Sequence, residues 1–197
     1  MVKTVDLTIP MTADEARSLR AGDMVSLSGS IVTGRDRIHK LLLEERISPG
    51  SLPFPLAGAV LYHCGPIMQK QDDGFRVVAA GPTTSQRLEM YEADLIRQYG
   101  LRGIMGKGGM GEQTREALKE QGCVYLHTIG GAAAYLADRV TKVLGVWKLE
   151  ELGLAEAMWH LQVKDFPAMV TMDSLGNDLH RDLEADTLRK FTELIGK

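Results

Sequence analysis

A chain of 197 residues is long enough for one well-buried domain. Its 44% hydrophobic and 25% charged residues suit a globular protein, and a net charge of −3 excludes the basic excess that nucleic acid or an anionic membrane requires. No apolar run approaches the roughly 20 residues that span a bilayer.

Met1–Pro10 carries Lys3 and Asp6 and lacks an apolar core, so it does not read as a signal peptide, and a cytoplasmic chain is expected. Val5–Ile9 alternates as a strand. Thr12-Ala13-Asp14-Glu15 has capping-box spacing and opens a short helix. Ala21-Gly22-Asp23 is a turn, and Met24–Val32 a strand. Ile38, Leu41 and Leu42 recur at helical spacing within Arg35–Arg46. Pro49, Pro53 and Pro55 make Ser48–Pro55 a loop. Ala57–Cys64 and Phe75–Ala80 read as strands, with a polar, hairpin-like Gln69–Gly74 between them.

Ser85–Tyr99 is the clearest helix: Leu88, Tyr91, Leu95 and Tyr99 share a face, and Gly100 stops it. Leu101–Met105 and Cys123–Leu126 are short strands flanking a helix over Glu112–Glu120. Ala132–Ala137 is helical, and Val140–Val146, Trp159–Val163 and Met169–Met172 are strands. Glu184–Leu194 closes the chain as a helix. Strands alternate with helices through the middle and the ends are richer in strands. The expectation is therefore an α/β fold with a mixed sheet and flanking helices, in a single domain over 1–197.

Three junctions carry the candidate chemistry: Ser28–Arg35, Gly81–Arg87 and Gly106–Gly111. Each joins a strand to a helix start and combines small or hydroxyl residues with one cation, Arg35, Arg87 or Lys107. A helix N-terminus offers free N–H groups and partial positive charge, which favour an anion. An Arg grips a carboxylate through two parallel hydrogen bonds. Cations are disfavoured at helix N-termini, so Arg35 and Arg87 need something negative nearby. Any one junction alone reads as an ordinary helix cap, with Thr83, Thr84 or Ser85 as the capping residue. Three together suit an anion with more than one negative group.

Gly106, Gly108 and Gly111 also match G-x-G-x-x-G, but no acidic residue follows the second strand at Leu126-His127-Thr128. The motif alone leaves a nucleotide- or phosphate-binding module as the alternative. His63 and Cys64 are neighbours on a strand and point to opposite faces, so Cys64 reads as a packed thiol. His127 is placed at a strand end, His160 between Trp159 and Leu161 reads as a structural residue, and Asp173–Asn177 as a turn. The two cysteines, Cys64 and Cys123, cannot supply the ligands of an iron–sulfur centre.

The stretches SGSIVTGRDRIHK (Ser28–Lys40), YHCGPIM (Tyr62–Met68), AGPTTSQRLEMY (Ala80–Tyr91) and GIMGKGGMG (Gly103–Gly111) resemble the β subunit, or the C-terminal domain, of class I fumarate hydratases and of the related L-tartrate dehydratase. The resemblance covers nearly the whole chain. It implies a swivelling β/β/α domain and reversible hydration of fumarate to L-malate. It also implies a partner α subunit whose three cysteines hold a [4Fe-4S] cluster with one iron open to substrate. A higher hetero-oligomer follows, with a dicarboxylate substrate and neither nucleic acid nor membrane as partner. By the same resemblance Arg35 and Arg87 bind substrate carboxylates, Lys107 adds a third positive contact, and Thr83 is the catalytic base. A threonine hydroxyl is a poor base unless another group takes its proton, so Thr83 as a positioning group is the competing reading.

Overall fold

The computed structural model describes residues 4–196; the part of the leader reading that rests on Met1–Lys3 lies outside the described residues. Strand β1 (Thr4–Ile9) turns Leu7 and Ile9 inward. Helix α1 (Ala13–Ser18) starts on the expected capping box. The Thr12 hydroxyl accepts the Glu15 N–H at 3.2 Å, and the Glu15 carboxylate accepts the Thr12 N–H at 2.7 Å. Strand β2 (Met24–Gly34) leads into α2 (Asp36–Glu44), and β3 (Val60–His63) is followed by a hairpin of β4 (Ile67–Gln71) and β5 (Gly74–Ala79). A 3-10 turn, Ser85–Leu88, precedes α3 (Glu89–Tyr99). Then come β6 (Gly103–Gly106), α4 (Glu112–Gln121), β7 (Val124–His127) and α5 (Ala133–Ala137). The chain ends with β8 (Val140–Trp147), α6 (Leu149–Leu152), β9 (Met158–Met172) and α7 (Leu179–Ile195).

Strands β2, β3, β6 and β7 are parallel neighbours, and β1 runs parallel to the first half of β2. The long β9 is antiparallel to β2 over residues 160–169 and to β7 over 169–172. The sheet therefore closes on itself through β2, β3, β6, β7 and β9, with β8 added to the outside of β9. The mixed α/β architecture agrees with expectation.

Side-chain alternation explains the layering. Ile31, Val60, Tyr62, Met105, Leu126, Trp159 and Phe166 point into an apolar interior between strands. Their neighbours Val32, Leu61, Ile104 and Tyr125 face outward, onto Ile38 and Leu42 of α2, Leu95 of α3 and Leu118 of α4. Strands β3 and β6 are buried on both faces, as central parallel strands covered by helices must be.

Three sequence expectations change. Trp159–Val163 and Met169–Met172 belong to one 15-residue strand. Its middle, Lys164–Ala168, is assigned to neither strand from the sequence. Instead Asp165 takes a left-handed conformation, φ 50°, its N–H bonds to the Ser28 hydroxyl at 3.1 Å, and the strand bends without ending. The polar hairpin segment includes a second strand, β4, which starts at Ile67. The second junction follows β5, a hairpin strand outside the main sheet.

Candidate functional site

The carboxyl ends of the parallel strands form one rim. Arg35 stands directly after β2 as the N-terminal cap of α2. Its side chain crosses Gly65, where a Cβ would lie 2.6 Å from Arg35 Cδ and equally close to the rigid Ala155 carbonyl oxygen, so glycine is required there. Arg35 Nε lies 3.4 Å from the Glu156 carboxylate. Arg87, in the 3-10 turn before α3, pairs with Asp36, the first residue of α2. Partial burial would raise the Asp36 carboxyl, but the Arg87 hydrogen bond and the Arg87 and Arg35 charges bring it below its usual range. The negative groups that the two arginines need are thus supplied by Asp36 and Glu156.

The Gly81–Arg87 loop reaches this rim through backbone bonds. Cys64 bridges Pro82, the Thr83 N–H donates to the His63 carbonyl at 2.7 Å, and the Ser85 N–H donates to the Lys107 carbonyl at 2.9 Å. Thr84 and Lys107 form a parallel bridge, which sets Thr83 and Lys107 on neighbouring strand ends. The loop packs so closely on β6 that a Cβ at Gly106 would lie 2.0 Å from the Ser85 hydroxyl. The Lys107 side chain extends past Gly130, in the loop after β7, at 3.4 Å from where a Cβ would stand. Thr83 and Lys107 are half-buried, and the Arg87 side chain is 53% exposed.

The start of α4 already has its anion. The Glu89 carboxylate accepts the Gly111 N–H at 2.7 Å, the Thr114 N–H at 3.1 Å and the Thr114 hydroxyl at 2.7 Å. A phosphate at the glycine-rich loop would have to displace it.

Beneath the rim runs a fully buried polar chain. One oxygen of Glu92, on α3, meets His39 Nε2 at 3.2 Å and His63 Nε2 at 2.9 Å. His39 Nδ1 meets the Arg35 carbonyl at 2.7 Å, His63 Nδ1 meets the Ser85 hydroxyl at 2.9 Å, and the Tyr125 hydroxyl donates to Ser85 at 2.8 Å. Burial would raise the Glu92 carboxyl, but the two histidines hold it down at about 2; burial pushes His63 below its ordinary value. The three donor atoms lie within 4.8 Å of one another, a spacing a metal ion accepts, yet each already has a hydrogen-bond partner.

Cys64 and Cys123 are free and buried; burial pushes the Cys64 thiol up to about 12 and Cys123 up as well. Two neutral, enclosed thiols do not fit an iron–sulfur cluster, whose ligands are thiolates.

Sequence reasoning missed His39, His63, Ser85 and Glu92 as a connected group. A signal was present: Glu92 follows Leu88 by four residues on the buried stripe of α3, a charge where an apolar residue is due. His160 stacks on Phe54 with ring centroids 4.9 Å apart. Asp173 is the anchor of a turn: its carboxylate accepts from Leu175, Asn177 and Ala21. His127 ends β7 opposite Gly106 and lies 5.4 Å from His180, ring to ring.

Comparison with known proteins places this geometry in a lineage. The Fumarase C-terminus family profile matches residues 1–183. A Geobacillus stearothermophilus protein provisionally named a class I fumarate hydratase is 50% identical over 192 residues, 97% of this chain but 36% of its own length, so the chain spans about a third of that relative. A Methanocaldococcus jannaschii protein, provisionally named L(+)-tartrate dehydratase subunit beta, is 41% identical over 94% of this chain and 96% of its own length. The Escherichia coli K12 L(+)-tartrate dehydratase subunit beta is 37% identical over 88% of this chain and 85% of its own. With a family match over nearly its whole length, the chain belongs to the fumarase C-terminal family.

Proposed function

We propose that this chain supplies half of the active site of a hydro-lyase acting on a four-carbon dicarboxylate. The favoured reaction is reversible hydration of fumarate to L-malate, with L-tartrate dehydration as the close alternative. The observation that carries the reading is the common rim: Arg35 and Lys107 follow parallel strands β2 and β6, and the loop of Thr83 and Arg87 is bonded onto the ends of β3 and β6, where α/β sheets bind ligands. The names of the relatives support it.

In this reading Arg35 and Arg87 bind the two substrate carboxylates, displacing Glu156 and Asp36. Removal of the C3 proton of malate places negative charge on the adjacent carboxylate, and Lys107 and Arg87 stabilise that charge. Thr83 stands next to the reacting carbon, as the base if a second group takes its own proton, or as a positioning group. The [4Fe-4S] cluster is assigned to a partner α subunit, because the thiols of this chain do not suit it. Residues 1–197 act as a single swivelling domain, in a cytoplasmic hetero-oligomer. A phosphate-binding role for Gly106–Gly111 is disfavoured because Glu89 occupies the N–H groups of α4.

The test is kcat/KM of the assembled enzyme for fumarate, L-malate and L-tartrate, with Arg87→Ala and Lys107→Ala beside the wild type. A charge-assisted hydrogen bond contributes about 1.5–3 kcal/mol, so each variant should lose about 10- to 100-fold on the true substrate. Near-normal kcat/KM in both variants overturns the assignment.

A further inference from the structure

Hydrogen-bond chemistry fixes the direction of the buried chain at its His39 end. A carbonyl oxygen only accepts, so His39 Nδ1 carries a hydrogen toward the Arg35 carbonyl. Tyr125 donates to the Ser85 hydroxyl, and the arrangement that uses every hydrogen has Ser85 giving its own to His63 Nδ1. His63 is then neutral, with its one hydrogen on Nε2, pointed at Glu92. The remaining contact, His39 Nε2 to the same Glu92 oxygen, needs one more hydrogen, which His39 and Glu92 share. A metal on the same donors would force His63 to donate from Nδ1, leaving the Ser85 hydrogen without this acceptor.

The ends of this chain are the three junctions themselves. Its His39 end holds the Arg35 carbonyl. Its Ser85 end holds the loop of Thr83 and Arg87, and the Ser85 N–H holds the Lys107 carbonyl. Three titratable groups in an apolar layer are a poor way to stabilise a core, since apolar side chains of similar volume do as well or better. Here the second Glu92 oxygen is even left buried without a partner.

We infer that Glu92, through its shared contact with His39 and His63, is a positioning residue that holds Arg35, Thr83, Arg87 and Lys107 in mutual register. The inference rests on reading the rim as the dicarboxylate site. The titratable groups around Glu92 are His39 and Asp36 of α2, His63 of β3, and Cys123 and Tyr125 at β7. Because both histidines use one oxygen, an isosteric amide can serve only one of them: its oxygen suits His63 and its nitrogen suits His39.

The test uses the full chain and the assembled enzyme, with Glu92→Gln and the charge-retaining Glu92→Asp. Nitrogen-15 imidazole spectra of the wild type should show one histidine with a hydrogen on Nδ1, held by the Arg35 carbonyl, and one protonated at Nε2, facing Glu92. In folded Glu92→Gln both imidazole signals should shift, and the Thr83 and Ser85 amides should exchange about tenfold faster or more. In the assembled enzyme, Glu92→Gln should raise KM and lower kcat/KM by about tenfold, with Glu92→Asp intermediate. Unchanged exchange at Thr83 and Ser85, two ordinary titrating histidines, or stoichiometric metal in the purified chain overturns the inference. So does unchanged kinetics of Glu92→Gln beside an active wild type, while the functional reading survives. An inactive wild-type assembly instead sinks the functional reading, and the spectra and exchange still decide the register.

Discussion

Gly106→Ala and Ser85→Ala, singly and together, measure how tightly the Thr83 loop is locked to the parallel strands. A methyl at residue 106 would lie 2.0 Å from the Ser85 hydroxyl and 3.3 Å from His63 Cβ and Nδ1. Ser85 is fully buried and bonded on both sides, so it has nowhere to go. Overpacking of this kind costs about 1–3 kcal/mol, and the broken bonds place Gly106→Ala at the top of that range. Ser85→Ala removes the partner of His63 Nδ1 and of the Tyr125 hydroxyl. At about 1–3 kcal/mol per orphaned buried group, its two lost partners should cost about 2–6 kcal/mol. In the double variant the hydroxyl that the methyl strikes is gone. The combined loss should fall short of the sum by at least about 1 kcal/mol. Urea unfolding of the full chain, with equal m values, gives all three numbers. Additivity within about 0.3 kcal/mol would refute the packing argument.

Acid should destabilise the fold in two stages. Burial lowers His63 from 6.5, so the unfolded chain takes up that proton first and stability declines as pH falls below 6.5. Glu92 titrates at about 2 in the fold against an ordinary 4.5, so its contribution, roughly 3 kcal/mol, is whole above pH 4.5 and is lost as pH falls toward 2. Urea midpoints across this range should fall, and Glu92→Gln should flatten the lower stage; an identical acid slope in that variant contradicts the coupling. Thr83→Val should leave assembly intact on size exclusion and lower turnover about 100-fold or more, as loss of a general base does; retention of most activity would put the base elsewhere. Asp36→Asn frees Arg87, so the KM for dicarboxylate should drop by up to about fivefold, less so in high salt. A KM that rises would make Asp36 part of the grip.

Much of the frame was legible because it is local. The capping box at Thr12, the stripe of α3 and the short apolar runs of β3, β6 and β7 are set by neighbours in sequence. The three junctions were legible for the same reason, since small residues, hydroxyls and a cation cluster at each helix start. What stayed hidden depends on pairing across the chain. Nothing near Pro167 reveals that β9 runs through it, because the Ser28 hydroxyl that satisfies the bend comes from β2. The second junction looked like a main-sheet connection, and only the distant contacts of Pro82, Thr83 and Ser85 bring it to the rim. Asp36 and Glu156 as internal counter-ions, and Glu89 as the anion on α4, are likewise contacts between elements. His39 and His63 looked unremarkable singly; only the packing of α2 and α3 on β3 joins them to Glu92.

The most direct test is anaerobic fumarate hydration, measured for this chain alone and then for the chain co-purified with a cluster-bearing partner. The half-site account expects no rate from the chain alone and robust turnover from the pair, with L-tartrate in place of malate identifying the substrate. A chain that turns over fumarate by itself, or an intact pair that turns over no dicarboxylate, would contradict it.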